Sequence, residues 1–374
     1  MIFKKLLFTG ILLLSTHLTF SQWLDISNIT LSNIQTEHGG PVIEISYDLT
    51  ESDLTDSVPA YVFVHYTLDE GNTWQLVDPV YMKGNGFGVV SSQGNKKIIL
   101  WAVNEKGIKD PEVKVRGIRM ARIPAGDFKM KSFPAGGKDP SKTERPNTVL
   151  PVYYMAVNET TIGMYIDYLN DGGRNGSGWH DRMANERRCG IIRKDSLGRM
   201  IHRVVPGREN YPITYVSWYD AISFLKWCGL TLPTEAMWEK AYVGGYYLDG
   251  DESKQVENPL PDRKYPWGNE VPYEGNVFRC NFDRDRDGYE FLSPVGTYSD
   301  FASPYTVNDL AGNAAEWTYD WYSTEYHAGL DGFRMVRGGS WLAMPFAVDA
   351  ISGATQFPIK ESSIMGFRGA LAVD

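Results

Sequence analysis

The sequence predicts an α+β protein of low regularity preceded by a small β-sandwich, and three observations carry that reading. Its 374 residues hold 11 Trp, 22 Tyr, 16 Phe and 37 Gly. This composition suits turns, short strands and aromatic-lined walls better than long helices. Residues 22–118 contain several short runs of β-branched and aromatic residues, whereas the chain beyond Ile123 shows only three helical patterns among irregular Gly-rich loops. At about 100–200 residues per domain the length gives two domains. Charged residues at 22% and hydrophobic ones at 43% exclude disorder over most of the chain. With 37 Lys+Arg against 46 Asp+Glu the net charge is −9, which excludes a nucleic-acid partner that would need a basic face.

Residues 1–21 read as a signal peptide. Lys4 and Lys5 precede the apolar run Leu6–Leu14, and Thr19 and Ser21 supply small residues before Gln22. The run is too short to span a bilayer, for which about 20 residues are needed. No Cys occurs before Cys189, so the mature chain is expected to start near Gln22, exported and without a lipid.

Residues 22–118 read as strands at Val42–Tyr47, Tyr61–Tyr66 and Lys97–Val103. Between them Thr67-Leu68-Asp69-Glu70-Gly71-Asn72-Thr73-Trp74 fits the Asp-box hairpin pattern. There the Asp side chain caps turn amides and the Trp packs below, a structural device. Several strands in so short a stretch predict a β-sandwich, and the segment resembles the immunoglobulin-like modules that precede larger domains in exported bacterial proteins.

Residues 119–374 form the second domain. One helix follows Asn158-Glu159-Thr160-Thr161 and runs to about Asn170, with Ile162, Tyr165, Ile166 and Leu169 on one face. A second covers Trp218–Trp227 behind Ser217. A third begins at Pro233-Thr234-Glu235 and turns Trp238 and Ala241 inward. Cys189, Cys228 and Cys280 have neither metal-ligand spacing nor an even count, so each is expected to be a small buried apolar side chain.

The most specific residues follow: Tyr211-Pro212-Ile213-Thr214-Tyr215-Val216-Ser217-Trp218-Tyr219-Asp220-Ala221, then Leu232-Pro233-Thr234-Glu235-Ala236-Met237-Trp238-Glu239-Lys240-Ala241. After them come Tyr265-Pro266-Trp267-Gly268-Asn269, Leu310-Ala311-Gly312-Asn313-Ala314-Ala315-Glu316-Trp317-Thr318, Val336-Arg337-Gly338-Gly339-Ser340-Trp341 and Gly366-Phe367-Arg368. In this order and spacing they resemble the formylglycine-generating enzyme family, the sulfatase-modifying factors, from about Ile123 to the C-terminus. The resemblance implies a C-type-lectin-related fold with a small twisted sheet, few helices and many loops.

It also implies structural calcium. Asn276 and Asp287 match the side-chain ligands of one site, completed by the carbonyls of Val277 and Tyr289. Asp283, Asp285 and Asp287 alternate with Arg before Gly288, and a hard cation takes oxygen donors of this kind. A second site would use Glu316 and the carbonyls of Ala311, Gly312 and Ala314. The enzymes of the family oxidise a substrate cysteine with oxygen and Cu(I), a soft ion that takes two thiolates. Those thiolate positions fall here on Ala343 and Val348, and arginines of the active cleft on Ser352 and Gln356. Copper is therefore not expected.

Family branches without the thiol pair include gliding and secretion components of Bacteroidota, diversified variable binding proteins and siderophore-maturation oxidoreductases. The resulting expectation is a secreted, calcium-stabilised, non-catalytic binding or scaffold module. Its protein or glycan ligand, or its envelope and secretion-machinery partner, would meet a surface near Trp341, Phe346, Phe357 and Arg368. The alternatives are a formylglycine-generating or related oxidoreductase and a structural part of a gliding or secretion assembly.

Overall fold

The computed structural model describes residues 23–35, 41–100, 111–131, 148–173, 177–196, 198–322, 332–350 and 352–373. The expected signal peptide, and the end of the Lys97–Val103 strand, lie outside them. Mostly strands with three α-helices make up the described residues, and no helix among them is long and apolar enough to cross a membrane.

The N-terminal strands form two sheets. One has the order β1 (Ile26–Gln35), β2 (Pro41–Leu49), β7 (Gly94–Leu100), β5 (Met82–Gly84). The other is built on β3 (Ala60–Thr67), which pairs with β4 (Gln75–Leu76), β6 (Gly88–Val90) and β8 (Glu112–Ile123). Side chains of both sheets share one apolar core: Ile43, Ile45, Tyr47, Ile98 and Leu100 from the first, Ala60, Val62, Val64 and Val115 from the second. The Asp box forms as its residues dictate. Asp69 accepts from the Thr73 amide (2.9 Å) and from the hydroxyls of Thr67 and Thr73 (both 2.6 Å).

The boundary expected between residues 118 and 119 falls inside β8. The strand pairs with β3 over Glu112–Arg119 and with β11 (Tyr153–Ala156) over Met120–Ile123, and β20 (Ala370–Ala372) continues the same sheet. A cut there would divide one strand, because its 12 residues are long enough to serve both units. β3 shows how the join is made. Side chains alternate along a strand, so Ala60, Val62 and Val64 enter the core shared by the two N-terminal sheets while Tyr61 and Phe63 join the cluster around the helices.

Those helices are α1 (Ile162–Asn170) and α2 (Trp218–Cys228), with α3 (Glu235–Val243) following. Thr161 caps α1 through the Met164 amide, Ser217 and Asp220 form a reciprocal capping box on α2, and Thr234 caps α3. Trp238 and Ala241 are fully buried, and all three cysteines are buried free thiols. At the join Arg116 and Lys114 both pair with Asp171 at the end of α1 (2.6 and 2.5 Å), and Trp23 Nε1 donates to Asp167 (2.9 Å). A last sheet, β16 (Ala315–Trp321) with β17 (Arg334–Arg337), β18 (Gly353–Gln356) and β19 (Met365–Gly366), is joined by the segments that hold Trp341, Phe346 and Phe357.

Candidate functional site

β17 ends at Arg337, and Gly338-Gly339-Ser340 turns the chain away from the sheet. Gly339 has φ +72°, and a Cβ there would stand 2.5 Å from the Ala347 carbonyl oxygen. Only glycine lets residues 345–348 fold this close. Arg337 is fully buried and ties β17 to α3 through Glu239 (2.7 Å) and Glu235 (3.2 Å), and to the Ala350 carbonyl (2.7 Å).

Beside this turn lies a cavity of about 470 Å³ bordered by Ser340, Phe346, Asp349, Ser352 and Ala354. A second cavity, of about 490 Å³, is bordered by Arg188, Arg284, Asp285, Glu290, Phe291 and Trp341. Ala343 and Val348, which the resemblance sets at the thiolate positions, line neither cavity. Val348 is fully buried in an apolar cluster with Trp238, Tyr242 and Cys280, and Ala343 packs against the same cluster. A methyl and an isopropyl group have no electron pair to give Cu(I). Cys280 is no substitute: its thiol is fully buried, which pushes its pKa well above the usual value. Ser352 Oγ lies within hydrogen-bond distance of Asp349 Oδ1 (2.7 Å) and the Phe346 carbonyl (2.8 Å), its single proton serving one acceptor at a time, and braces the cavity wall.

Of the four surface residues expected from the sequence, two line these cavities. Trp341 is buried, packs edge-on against Phe291 (5.1 Å) and donates from Nε1 to Ser363 O (3.1 Å). Phe346 is 73% exposed at the wall of the first cavity. Phe357 is exposed over Phe333 (centroids 4.0 Å apart) and lines neither. Arg368 has to be corrected: it is fully buried and cannot meet a ligand at a surface. Its guanidinium grips both oxygens of Glu316 (2.6–2.9 Å) and donates to the carbonyls of Ala156, Val157 and Asn308. Buried charges persist when paired and hydrogen-bonded in this way.

Two buried acids that the sequence reading passed over stand near this pair. Glu159, taken only as part of a helix start, accepts from the Ala314 amide (2.9 Å) and Asn313 Nδ2 (2.7 Å). Asp309 accepts from the Gly296 amide (2.6 Å). Burial, then the negative charges of Asp309 and Glu316, push the Glu159 carboxyl well above the ordinary range. Burial likewise pushes Asp309 to about 6. Three carboxylates thus meet one guanidinium. The upward shifts of Glu159 and Asp309 keep negative charge low around Arg368, so the cluster offers little excess charge to a cation near the Ala311–Glu316 segment. Glu316 itself is already held by Arg368 and by Trp238 Nε1 (2.9 Å).

The first expected calcium set is more open. Asn276 lies in the exposed turn of the hairpin formed by β14 (Tyr273–Glu274) and β15 (Val277–Phe278), and Val277 is exposed. Asp287 is half-buried and accepts from the Tyr289 amide (3.0 Å) and the Tyr298 hydroxyl (2.5 Å). Burial raises its pKa, with the Asp285 charge adding to this. A cation beside it would offset that cost, so Asp287 fits the role. Asp283 pairs instead with Arg286 (2.8 Å). No three His, Cys, Asp or Glu side chains among the described residues converge on a metal-sized point. An ion at either place would need backbone carbonyls as well.

Comparison with known proteins places this geometry. A family model described as the sulfatase-modifying factor enzyme 1-like domain matches residues 107–373. The formylglycine-generating enzyme of Thermomonospora curvata is 31% identical over 242 residues, covering 56% of this chain and 73% of that protein. The inactive C-alpha-formylglycine-generating enzyme 2 of Bos taurus is 32% identical over 275 residues, covering 67% of this chain and 83% of its own. Among solved structures, PvdO from Pseudomonas aeruginosa aligns over 68% of this chain and 94% of its own with 19% identity and a TM-score of 0.45. The family match spans well over half the length, so the chain belongs to the sulfatase-modifying factor family.

Proposed function

We propose that this protein is an exported, non-catalytic member of its family, a calcium-stabilised binding or scaffold module with its ligand surface at the degenerate cleft. One observation supports the reading: Val348, which with Ala343 the family resemblance sets at the thiolate positions, is fully buried in the apolar core. A core valine makes no copper bond, and without the metal the cleft has no group to activate oxygen. The cleft keeps a cavity with an exposed Phe346 at its wall, which suits recognition rather than redox chemistry. The bovine relative whose name calls it inactive agrees with this reading. In the same proposal residues 1–21 direct export and the N-terminal sheets act as an immunoglobulin-like spacer.

The test is to incubate purified protein with a cysteine-containing sulfatase peptide, with and without added copper, and to weigh the peptide by mass spectrometry. The peptide is expected unchanged, and appearance of the aldehyde would overturn the proposal in favour of an oxidase. Processing is tested separately. Protein recovered from outside the cytoplasm is expected to begin near Gln22, and a cytoplasmic product with Met1 intact would refute export.

A further inference from the structure

Away from both cavities, the last residues of β16 come to the surface. Tyr319 is 50% exposed and Trp321 52%, and Tyr219 in the first turn of α2 is 41% exposed. Arg334, the first residue of β17 and the register partner of Trp321, lies between two indoles. Its guanidinium carbon is 3.8 Å from the centroid of the Trp218 ring and 3.4 Å from that of Trp321. Nη1 donates to the Tyr319 carbonyl (2.6 Å). Trp218 is fixed in turn by its Nε1 bond to Thr318 O (2.9 Å), and packs against Tyr219 (5.4 Å) and Tyr319 (6.1 Å).

Two features of this stack point to a ligand. The guanidinium covers one face of Trp321, yet half of that residue is exposed, so its open surface is the other face. Arg334, only 6% exposed and pinned by its bond to the Tyr319 carbonyl, braces Trp321 from behind. The rings are held before any ligand arrives, so binding them costs little side-chain entropy.

We propose that Tyr219, Tyr319 and Trp321 form a stacking platform for the pyranose rings of an oligosaccharide. The patch combines three half-exposed aromatic rings with the phenol hydroxyls of Tyr219 and Tyr319. A pyranose presents the matching pattern, an apolar C–H face edged by hydroxyl groups. Three rings are too small an area for a stable protein interface, which buries at least about 1,000 Å². None of the three lines either cavity, so the platform is independent of the cleft function proposed above.

The full chain is titrated with cellohexaose, chitohexaose and xylohexaose, read by tryptophan fluorescence and by calorimetry. At least one is expected to bind with a millimolar or tighter Kd. Tyr319→Ala and Trp321→Ala should each weaken it about tenfold, the equivalent of about 1.4 kcal/mol. Trp321→Phe, which keeps a stacking face over Arg334, should retain more affinity than Trp321→Ala. Phe346→Ala, at the cleft, should leave saccharide affinity unchanged even if it abolishes binding there. Thermal melts guard against misfolding, and Tyr219→Ala offers a variant that keeps both indoles of the Arg334 sandwich. The proposal is overturned if none of the three saccharides binds at about 10 mM, or if binding survives unchanged in Tyr219→Ala, Tyr319→Ala and Trp321→Ala. Capture of a protein partner through these residues in place of a saccharide would overturn it equally.

Discussion

Acidification should loosen the join between the N-terminal sheets and the helical unit, and His65 is the group that makes it do so. His65 is fully buried in β3, stacked on Trp227 (centroids 4.3 Å apart). Arg116 Nη1 donates to its Nδ1 (3.1 Å), which leaves Nε2–H to donate to the Trp227 carbonyl (2.9 Å). The imidazole therefore has no room for a second proton. Burial first, and the Arg116 charge second, hold its pKa down to about 3. In the unfolded chain an imidazole titrates near 6.5, so between those values the unfolded state binds the extra proton. Stability from this residue is full above about pH 6.5 and is lost as the pH falls toward 3. From pH 7 to about pH 4.5 the loss amounts to about 2.5 kcal/mol. Other groups also titrate in that range, so the measurement is a comparison. Urea unfolding of the wild type and of His65→Gln is followed at several pH values by tryptophan fluorescence. The glutamine variant is less stable at pH 7 but should lose about 2.5 kcal/mol less on acidification. Parallel pH dependences in the two proteins would refute the reasoning, because His65 would then protonate as freely in the fold as in water.

The other expectations concern charge and metal. Arg368→Met leaves Glu316 buried beside Glu159 and Asp309 with its cation gone, and should cost at least about 3 kcal/mol in denaturant unfolding; a loss under about 1 kcal/mol would mean that the cluster is not closed to water. If calcium supports the second unit, chelator should lower the wild-type melting temperature. At calcium concentrations 100 times Kd the stabilisation is about 2.7 kcal/mol. Asp287→Ala should then remove more of the calcium-dependent rise than Asn276→Ala, since only Asp287 brings a full charge and partial burial. An unchanged wild-type midpoint in chelator would dismiss the calcium.

The sequence alone determined the local structure. Thr161, Ser217 and Thr234 cap the three helices at the positions their residue types dictate, because a cap is settled by hydrogen bonds to amides two or three residues away. The Asp box is equally local. The family blocks were also legible, since they are a matter of residue identity. What only the tertiary structure decided is where long-range partners meet. Arg368 reads as an exposed cleft arginine until Glu316 and three distant carbonyls close around it. Glu159 reads as part of a helix start until the 313–314 segment arrives over it. That residue 118 falls inside one strand follows from β8 pairing with β3 at one end and with β11 at the other. The Arg334 stack needs residues from α2, β16 and β17 together. A side chain's burial and its charge partners are properties of the surrounding packing, and residues as far apart as Arg368 and Glu316 (52 positions) or Arg368 and Ala156 (212) have no local pattern that announces their contact.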